Sequence, residues 1–116
     1  MTVFITQEVR GLNFQPARDY GPLKFVLDIQ TQILFDSDPV VKQMTKVLEK
    51  YTSNDYLLLV GDPVVIGIAT ALAADVTDGY VKMLKWDRQE KEYYPVELNL
   101  YPGTEEKDDR EIYGPI

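Results

Sequence analysis

The stretch LLLVGDPVVIGIATALAADV, residues 57–76, runs an apolar segment into a turn at Gly61-Asp62-Pro63 and out into a second apolar segment. A join of this kind, from strand to helix, aims free backbone N–H groups and the positive end of a helix dipole at one edge of a sheet, where anions and nucleotides bind. If the strand before the turn runs parallel to the later YVKMLKW, Trp86, Asp87 and Arg88 arrive at the same edge. Gly61, Asp62, Trp86, Asp87 and Arg88 are therefore the candidate ligand-binding set. The local sequence weighs against a phosphate cradle there. A single glycine is followed by an acid, which occupies the place an anion wants, and then by a proline with no N–H to offer. The turn reads more simply as strand, Asp62 cap and helix. Asp62 and Asp87 as a shared divalent-metal site would lack a third ligand, so neither a metal nor a cofactor is expected.

Other chemistries are closed off by composition. The chain has no cysteine and no histidine. Disulfides, thiolate metal sites, thiol nucleophiles and the Ser-His-Asp and Cys-His arrangements are excluded together. Any catalysis would rest on carboxylates, lysines or tyrosines, and no catalytic set is assigned. A net charge of −7 disfavours nucleic acid and anionic lipid as partners at long range. The segment KMLKWDRQEKEYYP interleaves Lys82, Lys85, Arg88 and Lys91 with Trp86, Tyr93 and Tyr94, as a single-strand nucleic-acid platform does. Asp87, Glu90 and Glu92 nearly neutralise it, and cross-strand pairing on a solvated hairpin explains the same residues.

The elements that must position these residues follow from periodicity. Thr2–Val9 is rich in β-branched residues and predicts a strand. Residues 10–21 form a loop with at most one helical turn, in which Phe14 and Tyr20 plug the core. Leu23, Phe25, Leu27 and Ile29 alternate with Lys24, Val26 and Asp28, which predicts a strand with a buried and a wetter face. Ser37 is placed to cap a helix that has Pro39 in its first turn and Val40, Met44, Val47, Leu48 and Tyr51 along one side. YLLLV then predicts a central strand covered on both faces. The helix of residues 64–76 carries Gly67, Ala69, Ala71, Ala73 and Ala74, so it should pack closely on the sheet or on a second copy of itself. YVKMLKW and YYPVELNL predict a hairpin, with Pro95 on an edge or at a bulge.

The order is thus β-β-α-β-α-β-β: a single small α/β domain over residues 1–100, with a mixed sheet of about five strands containing a parallel β-α-β unit and a final hairpin. Residues 101–116 form an acidic C-terminal tail with seven charges in succession from Glu105 to Glu111, contributing −3. Within it Ile112 and Tyr113 are candidate interaction residues, together with Tyr93 and Tyr94 on the hairpin. The longest uncharged run, Pro63–Ala74, is twelve residues, short of the roughly 18 needed to cross a bilayer. MTVFITQEV lacks the basic start of a signal peptide. A soluble protein is expected.

Through VGDPVVIGIA and LKWDRQEKEYYPVELNL the chain resembles short uncharacterised α/β proteins encoded by tailed phages of marine bacteria. The likeness spans roughly residues 2–100 and leaves the tail outside. It carries no activity to transfer and implies a viral accessory or structural role, in the host cytoplasm or the virion. The composite expectation is a non-catalytic protein whose partner is another protein or itself. Small-molecule or nucleotide binding at the carboxyl ends of the third and fourth strands is the alternative.

Overall fold

The computed structural model describes residues 1–28 and 37–102. Its strands are β1 (Val3–Gln7), β2 (Leu23–Leu27), β3 (Tyr56–Leu58), β4 (Tyr80–Asp87) and β5 (Glu92–Asn99), joined in one sheet of order β2-β1-β3-β4-β5. The neighbours are parallel from β2 through β4, and β5 closes the sheet antiparallel to β4. Two helices, α1 (Asp38–Leu48) and α2 (Pro63–Val76), and a short 3-10 helix (Gln15–Tyr20) complete the described elements. The mixed five-stranded sheet, the parallel β3-α2-β4 unit and the final hairpin agree with the sequence reading.

The strand order dictates which face each connection covers. The steps from β2 to β3 and from β3 to β4 move across the sheet in one direction, so right-handed crossovers put both helices on one face. The step from β1 to β2 moves the other way and puts its connection on the opposite face. The two cores obey this. One joins Met44 and Leu48 of α1 and Val65, Ala69 and Ala73 of α2 to Phe4, Val26, Leu57 and Val81 of the sheet. The other sets Phe14 and Ala17, from the 3-10 segment, on Val3, Ile5, Leu58 and Leu84. Two helices of eleven and fourteen residues thus face six residues of 3-10 helix. The second face is the thinly covered one.

That asymmetry corrects the reading of β2. Val26, assigned to the wetter face, is 2% exposed, whereas Phe25 is 38% exposed. Val26 lies beneath the helices, and the Phe25 ring meets Phe14 edge-on with centroids 5.5 Å apart. Ile29 lies outside the described residues. Ser37 stands at the N-cap of α1 but makes no side-chain capping bond, so Pro39 and the buried stripe of Val40, Met44 and Leu48 set this helix instead. At α2 the expected cap is present, with the Asp62 carboxylate accepting the N–H of Val64 at 2.8 Å. Ala69 and Ala73 are fully buried on the sheet, whereas the outer side of Gly67 is open. The connection holding the 3-10 helix exceeds the single turn expected for it.

Buried polar groups fasten the ends. Asp55, 7% exposed, accepts N–H bonds from Thr2 at 2.8 Å and Thr52 at 2.9 Å, tying the start of β1 to the loop before β3. Tyr51, 3% exposed, packs edge-on against Phe4, and its hydroxyl accepts the N–H of Lys82 at 3.3 Å. Burial, with a smaller contribution from the nearby Asp55 charge, pushes the Tyr51 phenol up to about 12, against the pull of its bond to the Lys82 backbone.

The sign of the pH dependence follows. Below pH 10 the phenol is neutral in both states and its burial counts fully. As pH rises through 10 the unfolded chain ionises at Tyr51 while the folded chain holds its proton to about 12, so stability falls by about 2–3 kcal/mol across that window. Urea unfolding of Tyr51→Phe should show a variant about 1 kcal/mol weaker at pH 9, through loss of the hydroxyl's bonds, and one that lacks this part of the alkaline decline. Gly61, at φ +105°, sits so close to Gln7 that an added Cβ would lie 2.5 Å from the Gln7 side-chain oxygen. Gly61→Ala should therefore cost about 2–4 kcal/mol in the same assay, from left-handed backbone strain plus displacement of a buried hydrogen-bonding side chain.

Candidate functional site

The carboxyl end of β3 is held toward β1 by side chains. Backbone pairing between the two reaches Ile5 with Leu58. Beyond it the fully buried Thr6 hydroxyl accepts the N–H of Val60 at 2.8 Å and donates to the Val60 carbonyl. One residue later the Gln7 side-chain oxygen accepts the N–H of Asp62 at 3.0 Å. A threonine and a glutamine thus continue the ladder on one side of β3.

On the other side the strands part. β3 pairs with β4 through Leu57 with Met83 and Leu58 with Leu84, after which β4 continues to Asp87 paired with β5 alone. The space between is a cavity of about 720 Å³. Leu58 and Leu84 lie at its base, Leu59 and Val60 form the wall from β3, and Lys85 and Trp86 form the wall from β4. The hairpin adds Lys91, Tyr93 and Val96, and the connection after β1 adds Leu12, Asn13 and Pro16 at the rim. Leu12 and Trp86 are 51% and 42% exposed, so apolar surface continues out to solvent. YLLLV is therefore not covered on both faces along its whole length. Leu59 and Val60 leave the ladder and line an opening, because Thr6 and Gln7 carry this end of the strand away from β4.

The hairpin wall is stiff. Trp86 and Tyr93 are cross-strand partners with their rings edge-on at 4.8 Å, and the Tyr20 hydroxyl donates to the Tyr93 carbonyl at 2.9 Å. Burial raises the Tyr93 phenol above its ordinary range. The Lys82 ammonium stands over the Tyr56 ring at 4.8 Å, on the same face as the 3-10 helix. Cations and aromatics that the sequence interleaves are thus partly spent on the sheet itself.

Of the five candidate ligand-binding residues only Trp86 lines the cavity. Asp62 is occupied with capping α2, and Gly61 with the approach of Gln7. The Asp87 carboxylate accepts N–H bonds from Gln89 at 2.9 Å and Glu90 at 3.3 Å and so forms the hairpin turn, where Arg88 is exposed. Tyr93 and Tyr94, the hairpin pair of candidate interaction residues, point to opposite faces, as neighbours on a strand must. Tyr93 meets the cavity, and Tyr94 is 38% exposed on the helix side. Ile112 and Tyr113 lie outside the described residues. The cavity opens at the edge named from the sequence, the carboxyl ends of the third and fourth strands; the sequence singles out Lys85 and Lys91 only as part of the hairpin cluster, and does not single out Leu12 and Asn13. A run of apolar residues too long for its ladder, LLLV, was the one signal of an unpaired strand end. Among the described residues no group of three or more acids stands together as a metal site, and no helix is long and apolar enough to cross a membrane.

No curated protein and no solved structure matches the chain. A family model does, over residues 1–100, the whole of the sheet with its helices and cavity. The match supports the phage protein family that the resemblance implied, and the chain belongs to the phage Pam3 gp32-like protein family.

Proposed function

We propose that this phage protein works by contact with another protein, without chemistry of its own, and that the cleft between β3 and β4 is the place of contact. The carrying observation is a water-open cavity of about 720 Å³, walled mainly by apolar side chains and edged by Lys85 and Lys91. Such a surface suits an apolar or aromatic anchor on a protein segment with acidic neighbours, the arrangement in which a buried anchor supplies most of the binding energy. The polar groups that reach the cavity are two lysines, an asparagine and a tyrosine. They offer orientation and charge matching and no acid–base pair.

A second reading is favoured by the size of the cavity, which falls in the range of small-ligand sites. Under it the same strand-end edge binds a small apolar anion. The two separate in one comparison. Selection from a displayed random-peptide library should yield sequences with an aromatic or branched apolar anchor beside acids. Trp86→Ala should weaken their binding about thirtyfold, the loss typical of an interface hot spot, and Lys85→Glu with Lys91→Glu should weaken it further. If the library yields nothing while a panel of nucleotides and small aromatic anions raises the melting temperature, the small-molecule reading replaces this one.

A further inference from the structure

The occupant that the cleft fits best lies in the same chain. We infer that the cleft is filled, in the free protein, by the chain's own tail, with Ile112 and Tyr113 as anchors and the acidic run beside Lys85 and Lys91. This rests on the reading of the cleft as a peptide-docking site and names the peptide.

Three observations meet here. The first is chemical. Residues 105–111 are EEKDDRE and residues 112–116 are IYGPI, so a segment of net charge −3 leads directly into apolar anchors. The cavity shows the complement, apolar walls with two lysines and no acid.

The second is reach. The described chain leaves β5 after Asn99, which pairs with Tyr80, whereas Trp86 and Tyr93 mark the other end of the hairpin. That end is about 20 Å away at strand spacing. Residues 103–111, fully extended, span about 30 Å. Pro102-Gly103 is moreover a dipeptide that favours reversal of the chain, which would direct the following residues back along the hairpin toward the cavity.

The third is concentration. A tether that spans the distance presents its end at an effective concentration of roughly millimolar, far above the micromolar level of a second copy in solution. With the span within reach, the tail of the same molecule outcompetes that of a neighbour. The family match stops at residue 100. Every residue that lines the cleft lies within that match.

Trp86 is the sole tryptophan, so emission and acrylamide quenching report on the cleft directly. The comparison is between the full chain and a full-length variant carrying Ile112→Ser and Tyr113→Ser, each also titrated with the apolar anion anilinonaphthalene sulfonate. The variant should show red-shifted, more quenchable emission. A tail bound nine-tenths of the time leaves a tenth of the clefts free, so the variant should bind the dye about tenfold more tightly. A synthetic peptide of residues 104–116 should displace the dye from the variant. None of these differences should change with protein concentration in the micromolar range. A blue shift in the unaltered chain that disappears on dilution would overturn the assignment and give the cleft to the tail of a second copy. Equal dye binding by both proteins, near Trp86, would overturn tail occupancy and leave the docking reading standing. No dye binding by either would remove both.

Discussion

The position of one strand end governs the site. β3 can follow β1 or β4 past Leu58, and two buried side chains settle the choice. Thr6 gives both hydrogen-bonding functions of its hydroxyl to Val60, and Gln7 takes the N–H of Asp62. A buried, unpaired backbone group costs about 1–3 kcal/mol, so satisfying the end of β3 on the β1 side fixes it there. The consequence is mechanical. β4 keeps its straight partnership with β5, and the gap that opens between β3 and β4 is the cavity.

The same constraint explains why the turn at Gly61-Asp62-Pro63 holds no anion site of the usual kind. Gly61 adopts φ +105° and brings the chain against Gln7, so its missing side chain serves a contact within the protein. Asp62 then neutralises the start of α2 by accepting from Val64. Both features of a nucleotide-binding turn, the glycine and the helix start, are present and both are used internally. The cavity at this edge presents apolar surface with Lys85, Lys91, Asn13 and Tyr93.

Uneven covering of the sheet leaves that surface accessible. Both α-helices share one face because both of their connections step across the sheet in the same direction. The other face receives a 3-10 helix of six residues, enough to bury Val3, Ile5 and Leu58 and to reach Tyr93 through Tyr20, but leaving Trp86 42% exposed. An open apolar cleft is a liability for association unless something covers it.

Local rules made much of this legible in advance. Alternation marked β2 and β5, apolar spacing of three and four marked α1, β-branched content and a continuous apolar run marked β1 and β3, Asp62 and Pro63 marked the start of α2, and Pro95 marked an edge or bulge position in β5. The lengths of the connections implied a parallel β3-α2-β4 unit and an antiparallel hairpin. Each of these rests on residues within a few positions of one another, which is why sequence alone determined them. Only tertiary structure decided that Val26 is buried and Phe25 half open, that LLLV leaves its ladder after Leu58, and that Lys85 and Lys91 meet Leu12 and Asn13 around one cavity. Those outcomes depend on bonds such as Thr6 to Val60, which join residues more than fifty positions apart, and no local pattern of spacing encodes which of two neighbouring strands will capture a free strand end.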